Sequence, residues 1–250
     1  MLRRPFYARA RAAVVPPSSV AIRSQPDAFI DAVTRGSSDV ALVDPTLAEA
    51  DPGIPDSLSR AHLGTVLYIR LSPEYAQASV KLLRELGSGE IVTYGYNDDP
   101  ATFADILRRQ SRANRGQLLL RALAPQIAAL PAGIRRGVSQ ISDQGHRIDS
   151  VDRLASFCAI TRGPLLRHFR NAGITSPWGF VTALTLLRSY DVLIDKSLTL
   201  LDVARAVGLR SERSLQRQCV AVSGLSLQTI QAPVSIEYLA ECVAGVLTAK

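Results

Sequence analysis

Two short runs hold hydrogen-bonding side chains at a spacing that could do recognition chemistry. The first follows Thr161 and offers Arg162, Gly163, Leu166, Arg167 and Arg170. The second follows Ser211 and offers Glu212, Arg213, Gln216 and Arg217. Residues three and four apart share one face of a helix, so each set projects to one side. Leu165 and Phe169 lie on the opposite face of the first run, as Leu215 and Cys219 do in the second, and are expected to be buried. Such outward sets match the edges of base pairs in a major groove. Arg167 can bond guanine O6 and N7 bidentately, and Gln216 suits adenine. Arg213 and Arg217 suit guanine or phosphate, and Glu212 suits cytosine N4. Leu166 could at most touch a thymine methyl, while Arg170 and the Thr161 hydroxyl suit phosphate.

Other chemistries find little support. The chain has no Gly-rich phosphate loop, no Gly-x-Ser-x-Gly and no His-x-x-x-His pair. His62, His146 and His168 are scattered, and His168 lies inside the first run. Cys158, Cys219 and Cys242 lack metal-ligand spacing and leave one odd, so they are expected to be reduced. No enzyme activity, cofactor or metal is expected.

The elements that must position the two runs share one grammar. Asp152-Arg153-Leu154-Ala155 begins a helix, Ala159-Ile160 turns, and Thr161 opens the first run as an N-cap. Leu201-Asp202-Val203-Ala204 begins another, Gly208-Leu209 turns, and Ser211 opens the second. This is the pattern of a helix-turn-helix, written twice, with its N-caps fifty residues apart. One amphipathic helix, Pro177 to about Leu193, is expected to join the units, with Phe180, Leu184, Leu187 and Tyr190 near helical spacing. At ~1.5 Å per residue it would span ~24 Å, toward the ~34 Å repeat of the major groove. A further helix, Pro131 to Ile141, precedes the first unit, and Arg147 to Ser150 leads into it.

At these residues the chain resembles the AraC-type transcription regulators. The matching residues are Leu154-Ala155, Arg167, Phe169-Arg170, Gly173-Ile174 and Ser176-Pro177. They continue with Val203-Ala204, Val207-Gly208-Leu209, Arg217 and Gly224-Leu225-Ser226. The resemblance covers residues 131–231 and implies a double helix-turn-helix domain with both recognition helices on one face of DNA. It places groove contacts on Gly163, Leu166 and Arg167. The chain departs from the family at Leu215 and Cys219, where Phe is frequent, at Leu227, where Pro is usual, and at Gln231, near a usual Arg. The smaller side chains at 215 and 219 are expected to weaken the second unit.

Charge agrees with that placement. The 250-residue chain carries a net +7, with 47% apolar residues, enough for real cores. Residues 131–230 hold 13 Lys and Arg against 7 Asp and Glu, whereas residues 21–130 hold 11 against 13. A basic surplus on the recognition half is the footprint of a phosphate-backbone binder.

The N-terminal half alternates strands and helices, which implies a parallel sheet with right-handed crossovers. Strands are expected at Val20–Ile22, Val40–Val43, Thr65–Ile69 and Ile91–Tyr94. Helices are expected at Pro26–Arg35 (with Gly36 after it), Pro55–His62, Pro73–Leu86 and Pro100–Arg109. Residues 20–110 are similar in layout to a receiver (flavodoxin-like) α/β domain, with Asp44 where a receiver has its phospho-acceptor. The acidic pair for Mg²⁺ is missing, since no acidic residue precedes Asp27, and no Lys follows the last strand. The domain is therefore read as degenerate, with Asp44 not phosphorylated and simply opening a turn at Pro45. Residues 1–19 are read as an arm, or a strand at Ala12–Val15. Ser111 to Gly116 is read as a polar hinge before a connector helix, residues 117–130. Residues 232–250 are read as an extension, broken from the rest at Pro233, with a small helix at Ile236–Leu247.

The expected partner is double-stranded DNA, with RNA polymerase and a second copy through residues 20–130 as further candidates. No signal peptide or membrane segment is read, which points to a cytoplasmic protein. The competing reading is a protein-interaction module with a vestigial DNA-binding domain.

Overall fold

The computed structural model describes the chain outside residues 1–3, 15–19, 22, 24, 36–38, 62, 87–88, 144–149, 233 and 250. It divides into two compact units, Met1–Asn114 and Arg115–Lys250. The expected positions Val15, Ile22, Gly36, His62, His146, Arg147 and Pro233 lie outside the described residues.

The first unit opens with α1 (Arg4–Ala13) and α2 (Pro26–Thr34). Then come β1 (Val40–Val43), α3 (Pro45–Glu49), α4 (Gly53–Ala61) and β2 (Gly64–Ile69). It continues with α5 (Pro73–Leu86), β3 (Glu90–Thr93) and the first turns of α6 (Pro100–Ala122). The strands pair in parallel in the order β1-β2-β3, with Val40 opposite Gly64 and Val66 opposite Glu90. Side chains alternate across a strand, so β2 serves two layers. Leu67 and Ile69 join Phe29, Ile54, Leu58 and Leu82 on one face. Val66 and Tyr68 join Phe6, Phe103 and Ile106 on the other. Burial of both faces accounts for the apolar strand sequences.

Three expectations are corrected here. Residues 4–13 are neither an arm nor part of a strand, because Phe6, Ala10 and Ala13, spaced i, i+4 and i+7, bury α1 against the sheet. Val20 and Ala21 form no strand, so three strands are described, not four. The order steps one way, without the reversal that makes the binding crevice of doubly wound sheets.

The second unit begins within α6, which runs unbroken through the expected hinge. Ser111, Asn114 and Arg115 are buried there rather than solvated, so the polar stretch is not a linker. Next come α7 (Ala124–Ala128) and α8 (Ala132–Asp143). The first helix-turn-helix is α9 (Val151–Phe157) and α10 (Arg162–Asn171). The joining segment is α11 (Pro177–Arg188) followed by α12 (Tyr190–Ile194). The second helix-turn-helix is α13 (Leu200–Ala206) and α14 (Glu212–Ser223). Two helices close the chain, α15 (Leu227–Gln231) and α16 (Ile236–Thr248).

The joining helix is shorter than expected. It breaks at Ser189, whose φ of −95° and ψ of 11° end α11, and the twelve residues of α11 give ~18 Å. Nor is it amphipathic: Phe180, Val181, Ala183, Leu184, Leu186 and Leu187 bury it nearly all round. The C-terminal residues are not an appendage. Ile236, Leu239, Val243 and Leu247 of α16 belong to the same core as α11 and α14.

Candidate nucleic-acid interface

α10 and α14 are each set by the helix before them. Ser150 caps α9 by accepting from the Arg153 N–H at 3.2 Å. Thr199 caps α13 by accepting from the Asp202 N–H at 3.2 Å, and its own hydroxyl donates to Asp202 at 2.5 Å. Both helices end in one αL residue. Ala159 has φ 53° and Gly208 has φ 85°. The next N–H then folds back, Ile160 to Ala155 O at 3.1 Å and Leu209 to Ala204 O at 2.7 Å. Glycine adopts αL freely, whereas Ala159 does so at a cost of about 1–2 kcal/mol.

α8 braces the first helix-turn-helix from behind. A Cβ on Gly137 would meet Phe157 O at 2.8 Å and Cys158 Cα at 2.9 Å, so only glycine lets α8 approach the end of α9 this closely. Cys158 is buried there, and desolvation pushes its thiol up to about 11.

α10 and α14 keep one burial pattern fifty residues apart. Leu165 and Phe169 are buried in α10, and Leu215 and Cys219 at the matching positions of α14. Phe169 packs edge-on against Phe180 of α11, with ring centroids 5.7 Å apart. Cys219 is smaller, and burial pushes its thiol up to about 11. α14 packs on α11, α13 and α16, so α16 supplies apolar contact beyond the expected core.

Every outward residue expected at the interface is exposed: Arg162, Gly163, Leu166, Arg167 and Arg170 on α10. The same holds for Glu212, Arg213, Gln216 and Arg217 on α14. Gly163 has nothing within 4 Å of where a Cβ would be. The N-caps differ. Ser211 accepts from the Ser214 N–H at 3.2 Å. Thr161 holds the N-cap backbone conformation, but its side chain makes no cap hydrogen bond, which corrects the expected equivalence.

The outward arginines of α10 and α14 differ from several cations of the first unit in their partners. In the first unit Arg9 pairs with Asp98 at 2.6 Å, Arg35 with Asp31 at 2.5 Å and Lys81 with Glu49 at 3.3 Å. Arg109 pairs with both Glu90 and Asp105. Among the described residues no carboxylate pairs with Arg162, Arg167, Arg170, Arg213 or Arg217. Their charge is available to an outside anion. Arg210 was missed in the sequence. It is exposed immediately before Ser211, and it is the extra residue that makes the second turn one longer than the first.

Asp44 is not poised for phosphoryl transfer. It is fully buried and caps α3, accepting from Thr46 N at 3.0 Å and Thr46 Oγ1 at 2.7 Å. Its other oxygen accepts from the Tyr75 hydroxyl at 3.1 Å. Asp98, at the end of β3, is also buried and accepts from Tyr68 at 2.5 Å, Arg9 at 2.6 Å and Gly95 N at 2.9 Å. Burial, then the bond to Asp98, drives the Tyr68 hydroxyl well above its ordinary pKa. Among the described residues no group of three His, Cys, Asp or Glu could hold a metal. Among them, too, no helix is long and apolar enough to cross a membrane.

No protein-family model matches the chain, and neither curated proteins nor solved structures match it.

Proposed function

We propose that the second unit is the sequence-specific DNA-binding part of a transcription regulator of the AraC type, reading DNA with α10 and α14 in successive major grooves. One observation carries this reading. Among the described residues, two helices with the same burial pattern expose arginines that no carboxylate neutralises, whereas Arg9, Arg35, Lys81 and Arg109 of the first unit are tied to carboxylates. Counterion release from phosphates would supply affinity, and base-edge bonds from Arg167, Arg213, Gln216 and Arg217 would supply selectivity. Footprinting on a selected site is the test. One chain should protect two segments about one helical turn apart, with binding that falls steeply as salt rises. Protection of a single isolated segment contradicts the reading.

Exposed Trp178, Val220 and Tyr238 favour a second reading, a protein-interaction module whose DNA-binding part is vestigial. Salt-dependent DNA binding separates the two. The first unit is best read as a three-stranded parallel α/β module without phosphoryl chemistry at Asp44, since both Asp44 oxygens already serve the fold. Mg²⁺-dependent labelling from a small phosphodonor, lost in Asp44→Asn, would overturn that assignment. A second copy of the chain through residues 20–130, and RNA polymerase, remain candidate partners of such a regulator.

A further inference from the structure

The break between α11 and α12 has no local cause in the sequence. Ser189 is neither proline nor glycine, and the residues on both sides are helical. Two buried guanidinium groups converge there instead. Arg188, the last residue of α11, donates to Ile141 O and Ser142 O at the end of α8. Arg115, on the second-unit part of α6, donates to Asp191 in the first turn of α12. Its guanidinium also lies over the Tyr190 ring, 5.6 Å from the centroid. Gly116 lets it reach this place: a Cβ there would meet Ser142 O at 2.9 Å, so α6 and the end of α8 are in close contact.

The joining segment meets the second helix-turn-helix twice, through α11 on α14 and through α12 on α13. α12 packs on α13, which supports α14, and on α15. Tyr190 donates to Val234 O, and Gln231 Nε2 donates to Leu193 O at 3.1 Å. The direction of α12 therefore bears on where α14 stands relative to α10. Arg115 is only 1% exposed. Burying a guanidinium is a poor route to stability, because desolvation offsets the Coulombic gain. A guanidinium with one N–H on a carboxylate and its carbon over a ring does supply a fixed direction.

We propose that Arg115 is a positioning residue that holds α12 at the Ser189 break and so sets the spacing at which the two recognition helices meet DNA. This rests on the DNA-binding reading above.

The test measures binding of the full chain to duplexes carrying both selected half-sites at the selected spacing, and at one base pair more or fewer. Arg115→Met removes the fork and leaves Asp191, whose side chain is 37% exposed, where water can solvate it. Wild type should lose about tenfold or more when the spacing is changed, as for a mismatched position, and Arg115→Met less than about threefold. Affinity for a single half-site and the melting temperature should be nearly unchanged, which a merely structural role would not allow. Equal spacing dependence in wild type and Arg115→Met overturns the proposal. If Arg115→Met loses cooperative melting, Asp191→Asn is read in the same assay with the same two outcomes. A wild type that binds both half-sites but ignores their spacing overturns the positioning role while leaving two-helix recognition standing. A wild type that binds no bipartite site fails the DNA-binding reading itself, and the proposal with it.

Discussion

α10 and α14 bury the same two positions in the same register, yet they expose different chemistry. α10 carries three arginines and no carboxylate, with Gly163 and Leu166 between them. α14 exposes two arginines, a glutamate and a glutamine, Gln216. The first therefore has more charge to hold phosphates and few groups that distinguish bases, whereas the second has donors and acceptors for several base edges. Their supports differ as well. Phe169 packs on Phe180 behind α10, whereas the smaller Cys219 lies behind α14, which also packs on the C-terminal helix α16. The inward face of a recognition helix fixes its place, and the outward face is free to specialise. We read α10 as the anchor with one reader, Arg167, and α14 as the principal reader.

The largest expected effect strikes the anchor's support. Gly137→Ala forces a methyl against backbone atoms that cannot swing aside, and should cost about 1–3 kcal/mol in urea denaturation. If α10 is mainly an anchor, the variant should bind all sequences more weakly while the base preferences of the second half-site persist. Loss of those preferences instead would erase the proposed distinction.

A smaller effect concerns phosphate contacts. Arg170→Ala should weaken binding to every sequence and reduce the salt slope by about one. The matching position on α14 is Val220, which is 51% exposed. Val220→Lys should raise the slope by about one if the two helices lie alike on DNA. An unchanged slope in both variants would show that the shared register does not extend to docking.

The smallest effect lies in the turns. Ala159→Gly relieves αL strain but adds freedom to the unfolded chain, for a net gain of about 0.5–1 kcal/mol. Gly208→Ala should lose about as much. Equal melting temperatures for Ala159→Gly and wild type would mean that the first turn is not strained.

Both helix-turn-helix units were legible in the sequence because their signals are local: caps, an αL turn, and apolar residues at i and i+4. The inward and outward faces of α10 and α14 followed directly, since burial alternates with helical period there. The failures came where distant partners decide. Arginines around Phe6, Ala10 and Ala13 disguised a buried stripe as a solvated arm. Ser111 and Arg115 read as a hinge because their acceptors, Asp39 and Asp191, lie far along the chain. The break at Ser189 has no Pro or Gly to announce it. α16 lies beyond the stretch with family likeness, so only packing assigns it to the core. Asp44 was legible as a turn former, but the Tyr75 bond that occupies its second oxygen was not.

Site selection on random DNA tests the division of labour most directly, with wild type, Arg167→Ala and the double variant Gln216→Ala/Arg217→Ala run side by side. Each good bidentate pair discriminates by about 1–3 kcal/mol, so losing two on α14 should flatten the second half-site. Arg167→Ala should blur one position of the first half-site and leave the second sharp. If only Arg167→Ala flattens the selected sequence, the assignment is reversed, and α14 is the phosphate anchor.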